Sequence, residues 1–387
     1  MSLTAALPML EGVRIVDMTS VVFGPYATQI LADFGADVVK VEAPSGDIFR
    51  YSSRSAKTRA MSAGHIALNR GKRSVVLDLK DDDDRAAMRS LIAESDVFIH
   101  NVRKSAIERL GFGYQESIAL NEALIYVHCV GFGAGGPYEH LQAYDDVIQA
   151  ATGTTSLLGR VDGDSAPRYF PSLIADKVAG LNAAYATLGA VIHKLRTGRG
   201  QHVEVPMFEA FANFMLKEHL ADMAFDPPLG PACYARQIEP DRQPFPTANG
   251  HIVIVPYSLQ SWDVVYEALG YSEFLDDEKF NTPRARVKNL EQLYKGLAER
   301  TPEKTSEAWC DILRPLNIPC MPVRDIDSIL EDPHLQATGF FQRREHPTEG
   351  WHFEMREAAS FSDWSAPERT PAPTLGEHSL DDVKRRG

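Results

Sequence analysis

The chain has 387 residues, 44% of them apolar and 24% charged, the composition of a globular enzyme and not of a disordered, collagenous or coiled-coil protein. Forty basic against fifty-three acidic side chains leave a formal charge of −13, which excludes nucleic acid and an anionic membrane as default partners. An anionic ligand therefore needs a local cationic cluster. The four cysteines, Cys129, Cys233, Cys310 and Cys320, lack zinc or redox spacing and read as the reduced thiols of a cytoplasmic protein.

Taken in order, the first half alternates strand and helix. Residues 12–17 (GVRIVD) are a short β-rich run, Pro25 suits a first helical turn, and Ile30, Leu31 and Phe34 recur at helical spacing before Gly35. Strands are expected again at 37–42 (DVVKVE), 74–79 (SVVLDL), 96–101 (DVFIHN) and 124–130 (LIYVHCV). Asp81 to Asp84 open a helix whose positive dipole end they complement, so they need no metal. The Ala/Gly-rich stretch 178–193 is a buried helix shorter than the ~20 residues of a membrane span. A turn at 197–200 leads to a strand at 201–205 and a helix at 207–217. This order implies a parallel, doubly wound α/β sheet. Pro227, Pro228 and Pro231 mark a change of composition, beyond which a smaller α+β domain is expected. The Pro-rich stretch 371–378 reads as extended chain draped over a surface.

Ligands of such sheets bind beyond the carboxyl ends of the strands. The loops at 19–24, 101–105 and 131–138 lie there, with Lys80, Arg103, Lys104 and Arg109 near the strand ends and Lys72 and Arg73 close in sequence. In an acidic chain that grouping predicts a phosphate-bearing ligand. The glycine run 131–136 is no dinucleotide fingerprint, because Pro137 interrupts it and no helix follows directly. No nucleophile elbow, HExxH, P-loop or Cys-x-x-Cys occurs. His128 reads as a core residue of a central strand. Asp145 and Asp146 precede Val147 and Ile148, while Asp176 starts the Ala/Gly-rich helix, either as a cap or as a nucleophile open to a bulky substrate.

The order of motifs resembles the class III CoA-transferase family, which includes formyl-CoA transferase, carnitine CoA-transferase and α-methylacyl-CoA racemase. The matching stretches are 10–17, 24–42, 69–80, 96–111, 144–150 (YDDVIQA), 197–205 (TGRGQHVEV), 318–323 (IPCMPV), 332–335 (DPHL) and 375–378 (LGEH). The resemblance implies a large, Rossmann-like α/β CoA-binding domain over 1–215, a small domain with linkers over 216–325, and a segment 326–387 returning to the large domain. It also implies an interlocked homodimer. It puts the family nucleophile on Asp176 and a second acidic position on Asp145. Coenzyme A contacts fall on Val21, Val22, Phe23, Leu77, Lys80, Asn101, Val102, Arg103 and Arg109, with no metal and no tightly bound cofactor, since CoA and acyl-CoA are substrates.

Ala43 stands where some members carry a basic residue, Lys104-Ser105 replaces a frequent Pro-Gly, and no counterpart of the glycine loop of formyl-CoA transferase occurs around 236–250. The expected reaction is transfer of CoA from an acyl-CoA to a small carboxylic acid through an aspartyl anhydride and an aspartyl-CoA thioester. The alternative is an acyl-CoA racemase, which uses a histidine where this chain has Tyr144.

Overall fold

A computed structural model describes residues 8–366 and 368–384. Its first compact unit comprises the described residues up to 155 together with 169–215 and 334–384. The elements are β1 (Arg14–Met18), α1 (Phe23–Asp33), β2 (Asp37–Glu42), α2 (Ala63–Asn69), β3 (Lys72–Val76), α3 (Asp82–Ala93), β4 (Val97–His100), α4 (Lys104–Arg109), α5 (Tyr114–Leu120), β5 (Ile125–Val130) and α6 (Asp145–Ala151). The chain leaves this unit for α7 (Leu157–Asp162) and comes back with α8 (Ile174–Thr197), β6 (Gln201–Pro206) and α9 (Met207–His219), which belongs to it as far as Met215. The six strands form one parallel sheet in the order β3-β2-β1-β4-β5-β6. The order reverses between β1 and β4, which opens a crevice at their carboxyl ends.

Period-two alternation distributes the strand side chains between two cores. Ile15, Val38, Val97, Ile99, Ile125 and Val127 face α1 and α8, whereas Val16, Val39, Phe98 and Tyr126 face the side covered by Met88, Leu91 and Ile92 of α3. The expected acidic helix start is present: Asp81 caps α3 by accepting the N–H groups of Asp83 and Asp84. The short helices α2, α5 and α6 escape a periodicity reading because each offers only seven residues to it.

The Pro-rich tail covers the β3 edge, as an exposed strand edge requires. Thr370 O accepts from Gly71 N at 2.8 Å and Ser74 O from His378 N at 3.0 Å. It is more than a drape, because Ala372 and Val383 are fully buried and Val383 joins the α3-side core.

The second compact unit comprises 156–168 and 216–333. It holds a three-stranded antiparallel sheet of β7 (Phe245–Thr247), β8 (Gly250–Ile254) and β9 (Cys320–Pro322). The helices α10 (Leu259–Ala268), α12 (Leu290–Arg300) and α13 (Ser306–Leu313) supply Trp262, Tyr266, Leu293, Leu297 and Trp309 to its core, with α11 (Pro283–Lys288) between α10 and α12 in the chain. The chain returns to the first unit through α14 (Pro333–Ala337) and the hairpin β10 (Phe341–His346) and β11 (Gly350–Met355). Among the described residues no helix is long and apolar enough to cross a membrane.

Candidate active site

Asp176 is the third residue of α8 and is only 5% exposed. Tyr144 precedes α6, so Asp145 and Asp146 occupy its first turn. The structure brings the two acidic positions together. The backbone N–H of Asp176 donates to Oδ2 of Asp145 at 3.0 Å. The amide of Gln149, one turn along α6, donates to Oδ1 of Asp145 at 2.5 Å. Gln149 also accepts the Phe170 N–H at 2.8 Å and donates to the carbonyls of Phe170 and Ser172, clipping the segment that enters α8. Each oxygen of the Asp145 carboxylate thus accepts one hydrogen bond. No hydrogen-bond donor among the described residues reaches the carboxylate of Asp176. Burial first, and the Asp145 charge second, push its pKa from 3.8 up to about 7.

The first turns of α8 lie against α1. A Cβ on Gly180 would meet the Phe23 carbonyl oxygen at 2.9 Å, so this approach requires glycine. Gly180 is one turn, about 6 Å, beyond Asp176. This contact sets the first turns of α8 against the start of α1. Lys194, near the other end of α8, pairs with Asp96 just before β4, so Asp176 lies on the carboxyl-end side of the sheet, where the crevice opens.

That loop is tied down residue by residue. Thr19 N donates to Asp17 Oδ1 at 2.9 Å, and Thr19 O accepts from Lys40 Nζ at 2.9 Å. Ser20 exchanges both backbone bonds with the Asn101 side chain, at 3.1 and 3.0 Å. Val21 N donates to Asp47 at 3.0 Å. Asn101 therefore staples the two lips of the crevice together. The side chains of Val22, Phe23 and Leu77 are buried, which leaves mainly their backbone for a ligand. Val102 packs on the same core as Leu77, and its carbonyl accepts from His128 Nε2 at 3.0 Å.

Lys80, Arg103 and Arg109 are exposed, as is Lys104, and none of them has an ion-pair partner among the described residues. Lys72 and Arg73 do not belong with them. Lys72 is buried and pairs with Asp17 at 3.1 Å, while Arg73 pairs with Asp37 at the opposite end of the sheet. His128 is a core residue, stacked on His100 at 4.4 Å, and burial lowers its pKa.

The sequence reading did not mark Gln149 or the buried charges Asp17, Lys40, Glu42, Asp47 and Arg50. Gln149 carried a usable signal, since it stands four residues after Asp145 and so on the same helical face. The buried charges gave a weaker one. Asp17, Lys40 and Glu42 interrupt otherwise apolar strands, whereas Asp47 and Arg50 lie in the turn after β2 and carry no such signal. Asp17 feels burial, which would raise its pKa, but Lys72, Lys40 and the hydroxyls of Thr19 and Thr28 hold it down to about 2. Among the described residues no group of three His, Cys, Asp or Glu side chains could hold a metal ion.

A model of the CoA-transferase family III matches residues 10–379. The chain belongs to this family. It is a CoA-transferase by that membership, and its curated relatives carry the same name. It is 30% identical to a succinate–glutarate CoA-transferase of Agrobacterium fabrum over 383 residues, covering 96% of this chain and 94% of that one. It is 33% identical to a formyl-CoA:oxalate CoA-transferase of Streptomyces avermitilis over 388 residues, covering 96% and 94%. Among solved structures, a CAIB/BAIF family protein from Brucella suis superposes with a TM-score of 0.82 at 29% identity, covering 96% of this chain and 97% of that one. The Mycobacterium tuberculosis protein Rv3272 gives 0.84 at 26%, covering 98% and 100%. The family III assignment agrees with the Rossmann-like α/β sheet expected from the sequence.

Proposed function

We propose that this family III enzyme moves CoA from an acyl-CoA donor to a carboxylic acid acceptor, with Asp176 as the covalent nucleophile. The observation that carries the reading is the Asp176 carboxylate itself: buried, without a hydrogen-bond donor among the described residues, and raised to a pKa of about 7. Such a carboxylate is more basic than a solvated one and attacks a carbonyl more readily once ionised. An oxygen of Asp176 adds to the thioester carbonyl, the C–S bond breaks, and a mixed anhydride and CoA thiolate result. The thiolate then attacks the aspartyl carbonyl carbon, the anhydride C–O bond breaks, and the donor acid leaves an aspartyl-CoA thioester behind. The acceptor carboxylate repeats these steps in reverse. Burial supports the scheme, because anhydride and thioester intermediates must be kept from water. Asp145, immobilised by Gln149 and the Asp176 N–H, is the second acidic residue of the site.

CoA in this reading lies across the crevice on Val21, Val22, Phe23, Leu77, Lys80, Asn101, Val102, Arg103 and Arg109. The cations serve its phosphates, and CoA is substrate, with no tightly held cofactor. The names of the relatives make succinate with glutarate and formyl-CoA with oxalate the first pairs to assay, the first of them as CoA thioester of one acid and free form of the other. A cytoplasmic location belongs to the same reading and rests on the four cysteines as free thiols.

We also propose an interlocked homodimer. Leu181, Tyr185, Ile192 and Leu195 form one exposed stripe along α8, with Tyr185 61% and Leu195 78% exposed, an apolar surface suited to a second copy.

Incubation with the donor acyl-CoA and hydroxylamine should convert Asp176 to a hydroxamate, seen by peptide mass spectrometry. A fully active Asp176→Ala enzyme would sink the mechanism. In heavy water, rapid exchange of the α-hydrogen of a 2-methylacyl-CoA without any acceptor would move the protein to the racemases.

A further inference from the structure

The charges buried under the β1–α1 loop are not used by the chemistry above, yet they are costly to bury and need a reason. Asp17 and Lys40 are register partners on adjacent strands, and Lys72 sits on the same inward face beside Val38. Lys40 Nζ contacts Asp47 Oδ2 at 3.2 Å, and Glu42 Oε1 accepts the Asp47 N–H at 3.1 Å while pairing with Arg50 at 2.7 Å. All six charged side chains are almost wholly withdrawn from solvent. The chain of pairs ends at the loop.

Val21 there has φ +69°, a left-handed conformation that is an outlier for a β-branched residue. Only an over-determining environment keeps such a residue in place. Asp47 provides it. Its Oδ1 accepts Val21 N at 3.0 Å and Phe49 N at 2.9 Å, and its Oδ2 lies 3.3 Å from Val21 N. Lys40 bridges Asp47 to the Thr19 carbonyl, so a single ion pair fixes both ends of the three-residue turn.

We propose that Asp47 is a positioning residue for CoA: its carboxylate, held by Lys40, locks Val21 in the left-handed conformation and thereby presets the backbone edge of the crevice for the ligand. The inference rests on the CoA reading above. Preorganisation of this kind acts on affinity, because a loop already ordered loses little freedom on binding. Asp47 touches no substrate in this reading and does not take part in the acyl chemistry at Asp176.

The test is calorimetric CoA binding and acyl-CoA kinetics on the full-length protein. Asp47→Ala should raise Kd for CoA and KM for the acyl-CoA tenfold or more while kcat at saturation falls less than threefold. Asp47→Asn keeps an oxygen for the Val21 N–H and should restore Kd to within about threefold of the parent. If Asp47→Ala does not fold, the pair Lys40→Met/Asp47→Leu removes both charges together, a change that buried pairs tolerate, and still strips Val21 of its acceptor. It should show the same loss of affinity. A lowered melting temperature with unchanged Kd in the folded variants would overturn the inference and leave Asp47 a stabilising residue only. Failure of the parent protein to bind CoA at all would instead overturn the CoA reading, and the inference with it.

Discussion

Asp145 accepts the backbone N–H of Asp176 at 3.0 Å, so the carboxylate that disfavours ionisation of the Asp176 side chain also anchors its backbone. Asp145→Asn separates the two effects. The amide oxygen still accepts the N–H, but the negative charge is gone. The Asp176 pKa should then fall below about 7, while remaining above the 3.8 of a solvated aspartate because the burial that raises it persists. The acidic limb of the pH profile for covalent capture should accordingly move to lower pH. An unmoved limb would show that Asp145 does not act on Asp176 through its charge.

Asp176→Asn should abolish transfer and stabilise the fold in a pH-dependent way. The folded pKa of Asp176 is raised above its unfolded value, so the folded state holds the proton more tightly. Stability of the parent is therefore lost as pH rises from about 4 to about 7, by up to about 4 kcal/mol for a shift of this size. Asparagine does not ionise. The gain in melting temperature over the parent should be larger at pH 8 than at pH 5, by circular dichroism or calorimetry.

Lys80→Ala and Arg109→Ala each remove a cation that has no protein partner among the described residues, so little folding stability should change. If they bind phosphates, each loss costs about 1.5–3 kcal/mol, or roughly tenfold or more in CoA affinity. The deficit should narrow at high salt, where surface charges are screened. Equal affinities for parent and variants would mark these cations as solvated surface.

Tyr185→Glu combined with Leu195→Glu places two charges on the exposed stripe of α8. Sedimentation of the parent should give a dimer, and the double variant should shift toward the monomer mass. A monomeric parent would show that the stripe is not a self-association surface.

Much of the large unit was legible in the sequence, because its strands are short apolar runs punctuated by Gly, Asp and Pro. Residues 37–42 formed the strand expected of them, and 201–205 did so with one residue added. Asp145 and Asp176 could be singled out as acidic residues in apolar and small-residue surroundings, but the choice of nucleophile over helix cap for Asp176 came only from the family resemblance. Lys72 and Lys80 looked alike in sequence as basic residues near a strand, yet one is a buried partner of Asp17 and the other is exposed. That difference is not local. It depends on which face of β3 meets α1 and on Asp17 being brought to Lys72 from fifty-five residues away. The contact of Asp145 with Asp176, the staple from Asn101 to Ser20 and the grip of Asp47 on Val21 likewise join segments that the chain separates by 31, 81 and 26 residues. Periodicity and turn chemistry report on neighbours within a few residues, so they determine which segments are strands and helices. Hydrogen bonds and charge pairs between distant segments exist only after the sheet has stacked them. The tertiary structure alone decides which buried carboxylates, such as Asp17 and Asp145, are met by hydrogen-bond donors and which, such as Asp176, meet none among the described residues.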